Sequence, residues 1–132
     1  MSSTISDFKV RLLGYRSYKA LLYQTGTDAP VPTVVENTLN INPEYLYSVE
    51  GVYLLRANRD LFNGPVIGIN GEPIEVIITP SDIYWNETKR NYTAIVVDSN
   101  TVEFKSLKDF TPNDDELGIN YPVSIEIRIY NK

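Results

Sequence analysis

The pattern of the chain predicts an all-β fold: a single antiparallel β-sandwich of about eight strands, with a small closed β-barrel as the alternative. Three observations carry this. Short runs alternate apolar and polar residues with a period of two, turn-forming residues separate them at close intervals, and no stretch sustains a long helical period.

The 132 residues suit one domain. Residues 1–7 are small and polar and read as a flexible N-terminal arm, and residues 8–132 as the sandwich domain. No cysteine is present, so stability must come from packing without disulfides or thiolate metal sites. The start lacks the basic and apolar regions of a secretory signal, and no window approaches the roughly 20 apolar residues of a membrane helix. The Asn-x-Thr triplets at Asn86 and Asn91 are therefore read as chance.

In residues 8–12, Phe8, Val10 and Leu12 alternate with Lys9 and Arg11, which reads as a first strand; a short helix capped by Ser6 or Asp7 competes. Residues 18–25 follow as a strand with apolar groups on both faces, the mark of a central position. A connection stiffened by Gly26, Asp28, Pro30 and Pro32 leads to a strand at 33–39, in which Val35 and Leu39 share a face. These two strands are expected to form the central pair of the fold. Residues 40–48 are rich in Asn, Pro and Tyr, Asn42-Pro43-Glu44 favours a turn, and 51–57 is again apolar on both faces. Within the loop 58–71, Val66 to Ile69 offers a brief edge strand.

Residues 73–79 place Ile74, Val76 and Ile78 inward and Glu75 outward. Residues 92–97 and 101–106 form the clearest hairpin, with Val102 and Phe104 inward. An acidic connection at 107–120 precedes a last strand with the cleanest alternation: Tyr121, Val123, Ile125, Ile127 and Ile129 against Ser124, Glu126 and Arg128.

Composition narrows the chemistry. Twelve Lys and Arg against 17 Asp and Glu give a net charge of -5, which argues against a general binder of nucleic-acid backbones. Histidine is absent, and with it the commonest acid–base catalyst and metal ligand. Nucleophilic catalysis has neither Cys nor a His base to work with. The strand acids Glu36, Glu75, Glu103 and Glu126 alternate with apolar residues, as solvent-facing residues do, instead of forming the paired carboxylates of a glycosidase. Asn113-Asp114-Asp115-Glu116 supplies oxygen ligands suited to calcium but misses the EF-hand spacing, so it reads as a solvated loop. Gly64, Gly68 and Gly71 match no phosphate-binding loop. No catalytic residue, metal or cofactor is expected.

Two sets of residues read as contact surfaces. Tyrosine is abundant, at 10 of 132 residues, and Tyr45, Tyr47, Tyr53, Tyr84 and Trp85 are candidates for an aromatic platform that binds a protein partner or a glycan. Ordinary enrichment of tyrosine in strands is the plainer alternative. Phe8, Arg11 and Arg16 are candidates for a docking arm; Arg11 and Arg16 with Lys19 form the one basic concentration, beside Tyr15 and Tyr18.

One segment resembles a known group. Tyr18, Ala20-Leu21-Leu22, Gln24-Thr25-Gly26-Thr27, Ala29-Pro30 and Thr33-Val34-Val35-Glu36-Asn37-Thr38-Leu39 are similar to a segment that recurs in small uncharacterised proteins of tailed phages and prophage-like clusters. The resemblance implies a virion or assembly role and names no reaction. The expectation is a non-enzymatic virion protein (head decoration, fibre base, or tail or neck component) made in the host bacterial cytoplasm. It would pack against copies of itself and other virion proteins. A carbohydrate-binding sandwich for a host-surface glycan is the alternative.

Overall fold

The computed structural model describes residues 14–24, 27–80, 90–108, 111–112 and 123–131. The expected first strand at 8–12, Tyr84, Trp85 and the acidic run 113–116 lie outside these residues. The described strands are β1 (Tyr15–Tyr23), β2 (Val31–Asn37), β3 (Glu44–Val49), β4 (Val52–Arg56), β5 (Ile74–Pro80), β6 (Arg90–Asp98), β7 (Thr101–Lys108), β8 (Thr111–Pro112) and β9 (Val123–Tyr130). Every pairing is antiparallel. One sheet has the order β2-β1-β9-β5, and the other β3-β4-β7-β6 with the two-residue β8 on β7. The two sheets form a sandwich and do not close into a barrel.

Alternation places the core. Tyr18, Ala20 and Leu22 of β1 point inward and are fully buried, as are Ile125 and Ile127 of β9. From the second sheet come Tyr53, Leu55, Val102 and Phe104, also fully buried. Each large side chain removed from water contributes about 1.5–3 kcal/mol, so this two-layer contact is the main stabilising term. The hairpin between β6 and β7 and the alternation of β9 match the sequence pattern.

Three expectations need correction. First, β2 is an edge strand, so the β1–β2 pair is not the centre; β1 lies between β2 and β9, and β9 between β1 and β5. Second, residues 40–48, for which no strand is expected, contain one. The turn ends at Pro43, and Glu44–Val49 forms β3 because Tyr45 and Tyr47 alternate inward. Third, Val35 and Leu39 do not share a face. A β-bulge sets Val34 and Val35 against the step between Lys19 and Ala20. The chain then leaves the strand after Asn37, and Asn40 takes a left-handed φ of 56°. Leu39 consequently turns into the core while Val35 is 56% exposed. The brief edge strand expected at 66–69 is only two isolated bridges, Phe62 with Gly68 and Ile67 with Pro73.

The Asn37 side chain fixes that exit. It donates from Nδ2 to the Ile41 carbonyl at 2.8 Å and accepts the Ile41 N–H at 3.1 Å. Asn37→Ala is expected to cost about 1 kcal/mol by leaving both groups to water, read as a lower urea midpoint with an unchanged m-value. Gly51, in the β3–β4 hairpin, has φ 71°, which an L side chain adopts only with strain.

The two sides of the sandwich differ. On one side the edge strands β5 and β6 run close together. On the other side the edges are β2 and β3, and β2 has no buried residue at all. Val34 and Pro32 stand opposite Ala20 and Leu22, so they share the inward face. Val34 is nevertheless 50% exposed. Among the described residues, the second sheet therefore stops short of β2.

Candidate functional site

The aromatic residues of β3 and β4 meet inside the sandwich. Tyr53 is fully buried and Tyr45 nearly so, while Tyr47 is partly buried against the core. Their rings pack edge-on or tilted: Tyr47 on Tyr53 at 5.9 Å, Tyr45 on Phe104 at 6.5 Å and Tyr53 on Phe104 at 5.6 Å between centroids. The expected exposed platform is thus corrected for Tyr45 and Tyr53, whose strands turn these positions toward the opposite sheet. Tyr84 and Trp85 lie outside the described residues.

Buried phenols need partners, and the first sheet supplies them. The Tyr18 and Tyr45 hydroxyls are 2.8 Å apart. Tyr53 donates to Gln24 Oε1 at 3.0 Å, and Gln24 Nε2 donates to the Asp28 carbonyl at 3.2 Å. Gln24 thereby ties the connection after β1 to the second sheet. Burial raises the pKa of both Tyr18 and Tyr45; the shared hydrogen bond partly offsets this in Tyr18 and adds to it in Tyr45, along with repulsion from the Tyr18 phenolate charge. The pair is neutral and structural at physiological pH.

Arg16 faces Glu72 at 3.6 Å. Glu72 is 8% exposed, and its Oε1 accepts the Asn70 N–H at 2.9 Å. Its own backbone N–H, together with that of Asn70 and the Arg16 charge, holds the carboxyl below the usual range despite its burial. Arg16 therefore anchors the loop before β5 and is committed within its own domain. Phe8 and Arg11 lie outside the described residues.

The outer face of the first sheet carries a cluster from β1, β5 and β9 that alternation within one strand does not group. Arg128 donates to Glu126 at 2.7 Å, approaches Glu75 at 3.9 Å and stacks over the Tyr15 ring at 4.6 Å. Tyr130 packs edge-on against Tyr15 at 5.3 Å and donates to Glu75 at 2.8 Å. Replacing Arg128 by alanine is expected to lower stability by about 1 kcal/mol, with lysine recovering only part because it cannot match the planar fork. Denaturation curves of the three proteins at low and high salt measure this.

The other strand acids also sit on outward faces: Glu103 pairs with Lys105 at 3.6 Å, and Glu36 is the register partner of Lys19. Among the described residues, no three His, Cys, Asp or Glu side chains converge as a metal site, and no helix is long and apolar enough to cross a membrane. A cleft of about 310 Å3 lies between the loop after β4 and the end of β6, lined by Phe62, Pro65, Val96, Val97 and Asp98. Asp98 is engaged in the β6–β7 turn, accepting the Asn100 N–H at 3.0 Å.

Exposed apolar residues gather on the loop before β5, at Val66, Ile67 and Ile69, on β6, at Ile95 and Val97, and on β2. Val31, Val34 and Val35 are 63%, 50% and 56% exposed, on a strand whose outer edge pairs with no described strand. The alternation pattern missed this because valine in a strand reads as core until the strand's neighbours are known. No protein family, no characterised protein and no solved structure matches the chain.

Proposed function

We propose that the protein is a non-enzymatic virion component of a tailed phage that works by packing against copies of itself and neighbouring virion chains. The single observation that carries the packing is β2, an edge strand that exposes three valines, Val34 on its inward face, Val31 on its outer face and Val35 at the bulge. The resemblance of residues 18–39 supplies the phage context, and the burial of Tyr45 and Tyr53 takes support from a glycan-binding platform.

Light scattering on concentrated protein is expected to show self-association, and mass spectrometry of intact particles a fixed copy number. Val34→Glu, at a half-exposed position, is expected to leave stability within about 0.5 kcal/mol and weaken association about tenfold or more. A strictly monomeric protein that is absent from particles overturns the reading.

A further inference from the structure

We infer that Asn63 is a site of spontaneous deamidation, at which the Gly64 nitrogen converts the side-chain amide into a carboxylate in the cleft beside β6.

The loop between β4 and β5 contains the dipeptide Asn-Gly twice, at Asn63-Gly64 and at Asn70-Gly71. A following glycine makes an asparagine reactive, because no Cβ shields the glycine nitrogen or restricts its approach to the side-chain amide. The two copies differ in what holds that nitrogen. At the second, the Gly71 N–H donates to the Gly68 carbonyl at 3.0 Å, and the Asn70 N–H donates to Glu72 Oε1 at 2.9 Å. Glu72 is itself buried and faces Arg16, so this turn is braced from inside the domain.

The first copy has no such brace. Among the described residues, none accepts a hydrogen bond from the Gly64 N–H. Asn63 is exposed, and a Cβ on Gly64 would meet nothing within 4 Å beyond its chain neighbours. The arms on either side are fixed, the Asn63 N–H on the Ile67 carbonyl at 2.8 Å and the Ile69 N–H on the Leu61 carbonyl at 3.0 Å. Gly64 and Pro65 are thereby left as the tip, and Pro65 has no N–H of its own.

The chemistry needs only water. The Gly64 nitrogen gives its proton to hydroxide and attacks Asn63 Cγ; the new C–N bond closes a cyclic imide, and the side-chain nitrogen leaves as ammonia with protons from water. Water then opens the ring at either carbonyl, giving aspartate, or isoaspartate when the main chain is left running through the former side chain. One water is taken up and one ammonia released. At Asn70 the same attack must first break the Gly71–Gly68 hydrogen bond. The product at Asn63 adds a negative charge to a chain that carries -5, in a cleft that Asp98 also lines. The cleft becomes more acidic as the protein ages.

Full-length folded protein incubated for days at mildly alkaline pH in heavy-oxygen water, then mapped by peptide mass spectrometry, tests this. Asn63 is expected to convert about tenfold faster than Asn70, the ratio that one protecting hydrogen bond accounts for, with heavy oxygen in the product. In urea, where neither nitrogen is held, the two rates are expected to come together. Equal rates in the folded protein overturn the proposal, as does an Asn63 that stays intact when folded and converts in urea, or a ratio that urea leaves unchanged. Asn63→Gln, whose longer side chain must close a larger and less favourable ring, is expected to lose the acidic band that appears on isoelectric focusing. Persistence of that band also overturns the assignment.

Discussion

Phe104→Ala is expected to lower the unfolding free energy by about 3–5 kcal/mol. The ring is fully buried and lies between Tyr45 and Tyr53, so its loss empties the middle of the second sheet's inner face and withdraws two aromatic contacts. A domain of this size holds about 5–15 kcal/mol in total, so the variant is left near the threshold of folding. Urea denaturation followed by circular dichroism measures the change. Ile95→Ala, at a position 56% exposed on the same sheet, is expected to fall within about 0.5 kcal/mol. A small loss at Phe104 would mean that the two sheets are less tightly apposed than described.

The second large effect lies in alkali. Tyr18 and Tyr45 both have raised pKa values in the folded protein, chiefly through burial. The unfolded chain releases these protons near pH 10, whereas the folded chain keeps them. Stability is thus fully present below pH ~10 and lost above it while the folded phenols stay protonated, by at most about 1.4 kcal/mol per pH unit for each tyrosine. Tyr45→Phe is expected to cost about 1–2 kcal/mol at neutral pH, since the Tyr18 hydroxyl loses its partner, and to make the alkaline loss less steep by one proton. Tyr18→Phe/Tyr45→Phe removes the steepness contributed by both. Urea midpoints from pH 8 to 11 test this, and parallel slopes for wild type and variants would rule the pair out as its source.

Much of the fold is visible in the residues themselves. The Val123-to-Ile129 alternation of β9, the Ile74, Val76, Ile78 face of β5 and the β6–β7 hairpin follow from a period of two, because one face of each strand is wet and the other dry. β3 was hidden because Asn42 and Pro43 mark a turn strongly, and nothing local says that the turn ends before Glu44. The edge position of β2 was hidden for a different reason. A strand's place in a sheet depends on which distant strand pairs with its neighbour, and here β1 takes β9 as its second partner. The tyrosine cluster was legible as composition but not as placement: alternation sends Tyr45 and Tyr53 inward, and only the opposite sheet, with Tyr18 and Gln24, shows why phenols are tolerated there.

The pairing of β1 with β9 carries a consequence for how the chain reaches this state. Tyr15 is matched with Tyr130, and the Asn131 N–H donates to the Gly14 carbonyl, so the sheet is zipped between opposite ends of the sequence. Contacts of such separation are slow to form, and a single domain built on them folds on a timescale of about milliseconds to seconds. During synthesis, β1 emerges early with Tyr18, Ala20 and Leu22 unmatched, and it gains its central neighbour only when the last strand has been made. A stop codon before Val123 would therefore leave, in place of a shortened sandwich, a chain whose first sheet cannot be assembled.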